Sequence, residues 1–177
     1  MQITDVRAFN LEIPYKHEYR PAWQPGLVRH SREFTLVKII TEDGLTGWGG
    51  TDGHHAGNIL KNVKPYLVGQ DAFATESHQR TIHHAYGMWL VDQALWDLVG
   101  QAAKLPLYKL WGYSRDRVRA YGSTSELGTP ADRAALARRY RSEGFQAMKI
   151  RFHKPTLEED LEFYDAVAEA VPDMKVM

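Results

Sequence analysis

The sequence predicts an α+β module followed by the first units of an α/β region. Before Gly112, strand-like segments come first and amphipathic helices follow, which is the order typical of an α+β domain. After Gly112, strand and helix patterns alternate, as in parallel β/α units. The 177 residues are enough for one large core or two smaller domains. We place the division between residues 1–116 and 117–177.

Composition narrows the functional classes. The 22 basic and 22 acidic residues cancel, so we expect no nucleic-acid partner. The absence of cysteine excludes disulfides, thiolate metal sites and a cysteine nucleophile. The N-terminus lacks the features of a secretion signal, and no apolar run approaches the roughly 20 residues that span a bilayer. We therefore expect a soluble cytoplasmic protein with no membrane partner.

The first strand is predicted over residues 3–13, and Pro14 is expected to close it. The following segment, Tyr15 to Ser31, has no period and is rich in aromatic and cationic side chains. A long loop in a compact domain is usually a functional lid or disordered, and disordered linkers are low in aromatic residues. This segment is therefore predicted to be a lid.

A β-hairpin follows the lid, with strands over residues 34–41 and 45–48 and a turn at Asp43-Gly44. Four glycines lie between positions 47 and 53, but they lack phosphate-loop spacing and end a strand instead of opening a βαβ unit. This stretch is predicted to form a second loop from Gly49 to His55. Three of its side chains carry possible metal-ligating atoms: Asp52, His54 and His55. Spacing places no further ligand beside them, so a metal site here is a minor alternative.

Helical patterns complete the first module, over residues 56–67, 74–86 and 87–103, with a short turn over 107–111. On the first of these, the apolar residues Ile59, Leu60, Val63 and Leu67 share a face. The second carries three histidines that we interpret as surface or packing residues: His78, His83 and His84. The third matches the helical template best.

The second region is predicted as strand, helix, strand, helix, strand over residues 118–123, 131–142, 145–151, 156–171 and 174–177. Thr129 and Pro130 supply the N-cap and first turn of its first helix, and Gly144 ends that helix.

Two cations stand out on the second of these strands. Side chains alternate across a strand, so Lys149 and Arg151 point to one face and Ile150 to the other. Lysine and arginine are rarely buried unless paired, so a solvated strand end explains them as readily as an anion-binding site. The residues alone leave both interpretations open.

Several segments resemble the enolase superfamily, in its mandelate racemase and muconate lactonizing enzyme branch. The matching segments keep their order and spacing along essentially the whole chain: Thr41–Gly49, Leu67–Asp71, Val91–Gly100, Pro106–Gly112, Tyr121–Ser123 and Gly144–Arg151. The resemblance implies an α+β capping domain, a three-stranded antiparallel meander plus helices, over a (β/α) TIM-like barrel. Residues 1–116 would be the cap and residues 117–177 the first barrel units, with lids at 15–31 and 49–57.

The resemblance also implies a reaction. Family members remove a proton α to a carboxylate, and Mg²⁺ stabilises the enediolate that forms. Lys149 matches the first lysine of the family's Lys-x-Lys motif, and Arg151 stands where the basic lysine would be. Arginine stays protonated and is a poor general base, so the base is expected on the opposite face of the substrate. One base favours dehydration of a sugar acid over racemisation, epimerisation or cycloisomerisation, which remain the nearest alternatives.

Five further residues are candidate substrate contacts: Tyr15, Arg20, Trp23, His54 and Ser123. A complete barrel takes roughly 200 or more residues, whereas the chain offers 60 from Val118 onwards. We therefore expect a truncated or fragmentary barrel, with Mg²⁺ ligands beyond Met177 and no activity of the chain alone. A non-catalytic fragment or scaffold is the alternative of another class. The resemblance further implies a small-molecule carboxylate substrate and a homo-oligomer.

Overall fold

A computed structural model describes residues 1–83 and 88–177. The chain forms two compact units, the first from Met1–Pro14 and Ser31–Ser114 and the second from Tyr15–His30 and Arg115–Met177. The segment predicted as a lid, Tyr15 to Ser31, lies in the second unit except for Ser31. The end of the helix predicted over 74–86, the start of the next at Gly87, and His84 lie outside the described residues.

The first sheet has three strands in the order β1-β2-β3. They span Ile3–Tyr19 (β1), Arg29–Thr41 (β2) and Thr46–Asp52 (β3). β2 and β3 are antiparallel, with a register that runs from Ile40 opposite Thr46 to Phe34 opposite Asp52. This confirms the predicted meander.

Three predicted boundaries in this sheet were wrong. β1 continues through Pro14 to Tyr19, because β1 is an edge strand and a proline there withholds no hydrogen bond from a neighbour. The predicted loop from Tyr15 to Ser31 consequently shrinks to residues 20–28. β3 likewise runs on through residues 49–52, which were predicted to be loop.

The helices of the first unit follow the strands. They are Ala56–Asn58 (α1), Lys64–Leu67 (α2), Thr75–Ile82 (α3), Met88–Ala103 (α4) and Leu107–Leu110 (α5), with a π-helical turn at Ile59–Val63 between α1 and α2. Ile59, Val63 and Leu67 are fully buried as predicted, but Leu60 is 42% exposed. The wider π turn changes the angular spacing that the α-helical template assumes, so Leu60 leaves the shared face.

Two of the three glycines of β3 are explained by α4. A Cβ atom at Gly49 would lie 1.8 Å from the Leu90 carbonyl oxygen, and one at Gly47 would lie 2.1 Å from that of Ala94. Side chains of α4 also accept hydrogen bonds from β3, since the Trp48 N–H donates to Asp97 Oδ2 at 2.8 Å. The strand and helix are thus in direct backbone contact, which requires glycine.

The second unit contains three short parallel strands in the order β4-β5-β6, at Gly122–Ser123 (β4), Ala147–Lys149 (β5) and Lys175–Val176 (β6). All three were predicted too long. A strand extends only as far as its backbone pairs with a neighbouring strand. Val118, predicted to begin β4, is 81% exposed and lies outside the paired residues.

Helices α6 (Pro130–Ser142) and α7 (Leu157–Ala170) agree with prediction within one residue at each end. Each begins with a capping box, in which Thr129 pairs with Asp132 and Thr156 with Glu159. The core of this unit is a single buried cluster: Ala137, Met148, Ile150, Phe163, Val167, Val171 and Met174. Among the described residues, no helix is long and apolar enough to cross a membrane.

Candidate functional site

The cationic face of β5 is built by the alternation of its side chains. Met148 and Ile150 are buried in the core of the second unit, at 0% and 6% exposure. Lys149 and Arg151 are half-buried and occupy the alternate positions. The two cations therefore point away from that core, as the period of two predicts.

Ser123 shares this face. It is the register partner of Lys149 in the parallel pair of β4 and β5, so the two side chains lie side by side. The preceding residue, Gly122, faces the helical side, where a Cβ atom would lie 2.2 Å from the Tyr140 ring. Helix α6 thus covers the opposite side of β4 and leaves the side of Ser123 free of it.

Arg151 is held by two partners. Its Nε–H donates to the Thr124 carbonyl oxygen at 3.1 Å. Its guanidinium carbon lies 5.3 Å from the centroid of the Trp23 ring, within the range of a cation–π interaction. Arg151 is consequently a fixed cation, whereas no such contact holds the Lys149 ammonium in the part of the chain that the structure describes.

Trp23 ends a row of aromatic rings. Tyr15 and Tyr19 have ring centroids 5.3 Å apart, and those of Tyr19 and Trp23 are 6.4 Å apart. The row begins on β1 and reaches Arg151 through Trp23, so two of the predicted substrate contacts, Tyr15 and Trp23, lie on the side of the chain that approaches the cationic face.

Residues 124–127, which follow β4, form a platform that contacts the loop of residues 20–28, the loop that carries Trp23. Thr124 is 3% exposed and accepts from Arg151, and Ser125 accepts a hydrogen bond from the Ala22 N–H at 2.9 Å. The Glu126 carboxylate accepts from the Arg20 N–H at 2.8 Å. Sequence reasoning missed these residues, because nothing local to the segment signals a partner about a hundred positions away.

Arg133 of α6 fixes the platform from behind. Its residue is 7% exposed, and its guanidinium donates to the carbonyl oxygens of Leu127 at 2.9 Å and Glu126 at 2.5 Å. Burial lowers the pKa of the Arg133 guanidinium from its ordinary value, against the opposing effect of nearby Asp132 and Glu126. Sequence reasoning predicted the start of α6 at Thr129 and Pro130, but it did not predict that Arg133 in the first turns of this helix binds the segment after β4.

No carboxylate of the described residues forms an ion pair with Lys149 or Arg151. Two half-buried cations on one strand face, with no protein anion between them, can receive an anionic group from a ligand. A bidentate carboxylate suits this arrangement, because arginine offers several parallel N–H donors and lysine offers a point charge.

The remaining predicted contacts have other partners. The Arg20 guanidinium pairs with Glu18 at 2.7 Å. His54 lies in the first unit, with Nδ1 3.9 Å from a carboxylate oxygen of Glu33. The proposed ligand Asp52 instead pairs with Arg32 at 2.5 Å.

The structure does not gather Asp52, His54 and His55 into a cluster that could hold a metal ion. Within residues 1–83 and 88–177, no three histidine, aspartate or glutamate side chains gather in a way that could hold a metal ion. His78, interpreted from the sequence as a packing or surface residue, is buried and binds the Asp71 carbonyl oxygen through Nε2 at 2.8 Å.

Comparison with known proteins gives a consistent family. Residues 17–112 match the N-terminal domain of mandelate racemase / muconate lactonizing enzyme. The chain is 30% identical to arabinonate dehydratase of Saccharolobus solfataricus, over 98% of this chain and 52% of that protein. It is 33% identical to D-galactarolactone cycloisomerase of Agrobacterium fabrum, over 100% of this chain and 51% of that protein.

Solved structures of similar fold agree. A racemase from Streptomyces coelicolor with bound magnesium matches with a TM-score of 0.84 and 29% identity, over 95% of this chain and 52% of its own. A dipeptide epimerase from Enterococcus faecalis, complexed with Mg and L-Leu-L-Tyr, matches with a TM-score of 0.83 and 25% identity, over 99% and 52%. The chain spans about half the length of the relatives it matches.

Proposed function

The chain belongs to the mandelate racemase / muconate lactonizing enzyme family of the enolase superfamily, and we propose that its protein removes a proton α to the carboxylate of a sugar acid and eliminates a hydroxyl group. The observation that carries this proposal is a pair of half-buried cations, Lys149 at the end of β5 and Arg151 two residues further on, which form no ion pair with any carboxylate of the described residues. The relatives named dehydratase and cycloisomerase support the substrate class.

Lys149 binds and orients the substrate carboxylate. When the α proton leaves, negative charge moves onto the carboxylate oxygens, where a nearby ammonium stabilises it more strongly than in the ground state. Ser123, in register with Lys149 on β4, is suited to donate a hydrogen bond to the same group or to an adjacent hydroxyl.

Arg151 acts as a fixed positive charge. A guanidinium stays protonated near neutral pH, so it is a poor acceptor for the α proton. It stabilises the enediolate or the departing hydroxyl, and the general base lies on the opposite face of the substrate. A single base favours dehydration, because racemisation requires a proton-active group on each face.

Magnesium belongs to the proposal through the family, and a related racemase binds it. The described residues do not provide a ligand set of three carboxylate or histidine side chains. We therefore expect the metal ligands elsewhere in the protein and the 177-residue chain by itself to be inactive. In the same proposal, Tyr15 and Arg20 contact the part of the substrate away from the reacting carbon, and Trp23 lies against Arg151.

The experiment is an assay of the protein with Mg²⁺ against a panel of sugar acids, with detection of 2-keto-3-deoxy product. We expect product from at least one acid, and its loss in the variant Lys149→Met. Product formation that survives unchanged in Lys149→Met would contradict the assigned role of Lys149.

A second measurement separates dehydration from its nearest alternatives. In ²H₂O, a racemase or epimerase exchanges the α proton of both stereoisomers of its substrate, whereas a one-base dehydratase attacks one of them. Exchange from both faces without elimination would assign an isomerase instead. If none of the sugar acids in the panel binds to the full-length protein, the non-catalytic scaffold would be favoured.

A further inference from the structure

We propose that Trp23 is a positioning residue for Arg151, and that the docking of the loop of residues 20–28 onto the segment Thr124–Leu127 completes the cationic site. The inference rests on the proposed function, because it assigns the origin of one of the two charges of that site. Within the second unit, the interaction joins Trp23, from the N-terminal part of the chain, to Arg151, which follows strand β5.

The contacts form a closed ring. Arg151 Nε donates to the Thr124 carbonyl at 3.1 Å, and the next residue, Ser125, accepts from the Ala22 N–H at 2.9 Å. Ala22 is followed by Trp23, whose ring lies 5.3 Å from the Arg151 guanidinium carbon. Each link fixes the next, so the direction of the guanidinium depends on where the loop sits.

The ring leaves most of the guanidinium available. Arginine carries five N–H donors, and Thr124 uses only the one on Nε. The guanidinium carbon lies over the Trp23 ring, and this cation–π contact restrains the group without consuming a donor. The Nη donors of Arg151 are then aimed by these two contacts, and they are the donors suited to a carboxylate or a leaving hydroxyl.

The hold of the loop depends on few bonds. Pro21 bridges to Glu126, and the Glu126 carboxylate accepts from the Arg20 N–H at 2.8 Å. A cavity of about 500 Å³ lies between the loop and the segment after β4, and residues on both sides of Trp23 line it. Pro21 and Ala22 are buried whereas residues 24–27 are exposed, so the position of Trp23 relies on residues 20–22.

Arg133 supports the platform and not the ring directly. It binds the carbonyl oxygens of Glu126 and Leu127 and so keeps the segment after β4 in the conformation that receives the loop. Within the described residues, its guanidinium forms no hydrogen bond or ring contact with Trp23 or Arg151, so it is not part of the anion site. A change at Arg133 would disturb the platform as a whole, so Trp23 offers the cleaner test.

The chain provides a matched control. Trp48 is 44% exposed and lies 5.1 Å from the Lys38 ammonium, whereas Trp23 is 48% exposed and lies 5.3 Å from the guanidinium carbon of Arg151. Both are exposed tryptophans over a cation, but Trp48 belongs to the first unit and has no part in the proposed site.

The first experiment reads the ring without any ligand. The Arg151 Nε–H resonance, assigned by its loss in Arg151→Lys, is measured in the ¹⁵N-labelled protein. Stacking under Trp23 is expected to shift it upfield, and the bond to Thr124 is expected to slow its exchange with water. In Trp23→Leu the upfield shift should vanish and exchange should accelerate, Trp23→Phe should retain part of both effects, and Trp48→Leu should change neither.

The second experiment measures the affinity for D-galactonate. We expect Trp23→Leu to weaken binding about 3- to 30-fold, the range of a partly desolvated cation–π contact, with partial recovery in Trp23→Phe and no change in Trp48→Leu. An Arg151 resonance that is unaltered in Trp23→Leu would overturn the inference, regardless of the result of the affinity measurement. Normal behaviour of that resonance, together with no binding of any sugar acid by the wild type, would overturn the proposed function alone.

Discussion

Thr124 donates two hydrogen bonds to the carbonyl oxygen of Lys149. Its backbone N–H and its Oγ1 hydroxyl each lie 3.0 Å from that oxygen. The same residue accepts from Arg151 Nε at 3.1 Å. One buried threonine therefore ties β5 to the end of β4 directly at the two cations, and the backbone that carries Lys149 and Arg151 is fixed by it.

Replacing Thr124 with valine tests this tie. Thr124→Val keeps the shape and the backbone bond but removes the hydroxyl, so we expect a loss of about 1 kcal/mol in the free energy of unfolding. Denaturant unfolding measures the loss. Thr4→Val removes an exposed hydroxyl that donates to the Ile40 carbonyl, and it should cost less. Equal losses in the two variants would show that burial of the Thr124 bond is unimportant.

Lys149→Met should weaken the binding of a sugar-acid carboxylate, because it removes a half-buried cation that forms no ion pair with any carboxylate of the described residues. We expect a loss of about 10-fold or more, as for a charge-assisted hydrogen bond. Lys175→Met is the control, since Lys175 is an exposed cation on the neighbouring strand β6. Calorimetric titration measures both. A similar loss in the two variants would indicate a general charge effect and contradict a specific role for Lys149.

Gly49→Ala should destabilise the first unit. The new methyl group would meet the Leu90 carbonyl oxygen at 1.8 Å, so β3 and α4 must separate, at a cost of about 1–3 kcal/mol or more. Gly57→Ala is the matched control, because no atom lies within 4 Å of its new Cβ and the site is helical. There the substitution should be neutral or stabilising. Thermal unfolding distinguishes the two, and a stable Gly49→Ala protein would contradict the close approach.

Asp5 should make stability pH-dependent in acid. Hydrogen bonds from Lys64 first, and then Arg7, lower the pKa of the Asp5 carboxyl from 3.8 to about 2. The ionised form thus favours the folded state, and its contribution is present above about pH 4 and lost as the pH falls through about 2. Lys64 and Arg7 are 38% and 57% exposed, so solvent screening limits the contribution to about 1 kcal/mol.

The measurement is the free energy of unfolding of wild type and Asp5→Asn between pH 7 and pH 2. The difference should be largest near neutral pH and should shrink between about pH 4 and pH 2, because Asp5 takes up a proton in the unfolded state at a higher pH than in the folded state. A difference that stays constant over this range would show that the substitution acts through shape and not through charge.

Local signals predicted the helices well and the strands poorly. Thr129 and Pro130 predicted the start of α6, and the structure shows that α6 and α7 both begin with capping boxes, which need no residue from elsewhere in the chain. Strand ends depend on partners that local sequence does not reveal. Pro14 did not end β1 because that strand lies at the edge of its sheet, and Val118 did not join β4 because no neighbour pairs with it.

The site divides in the same way. The period of two on β5 correctly placed Lys149 and Arg151 on the face opposite the core. The partners of Arg151 were not predictable from that pattern, because Trp23 and Thr124 reach it only through the tertiary fold. Composition marked the segment after Pro14 as functional, but it did not indicate which unit the segment contacts.

The assignment of Tyr15–His30 to the second unit affects how chimaeras of this family should be cut. A graft that exchanges residues 1–116 for those of a relative would also exchange Trp23, the aromatic partner of Arg151, while it leaves Arg151 itself in place. A change in substrate selectivity after such a graft would therefore have two causes: a new lid, and a new aromatic partner for the Arg151 guanidinium that the graft leaves in place. Recombinants that move Tyr15–His30 together with Arg115–Met177 would keep the charge and its aromatic partner from one parent.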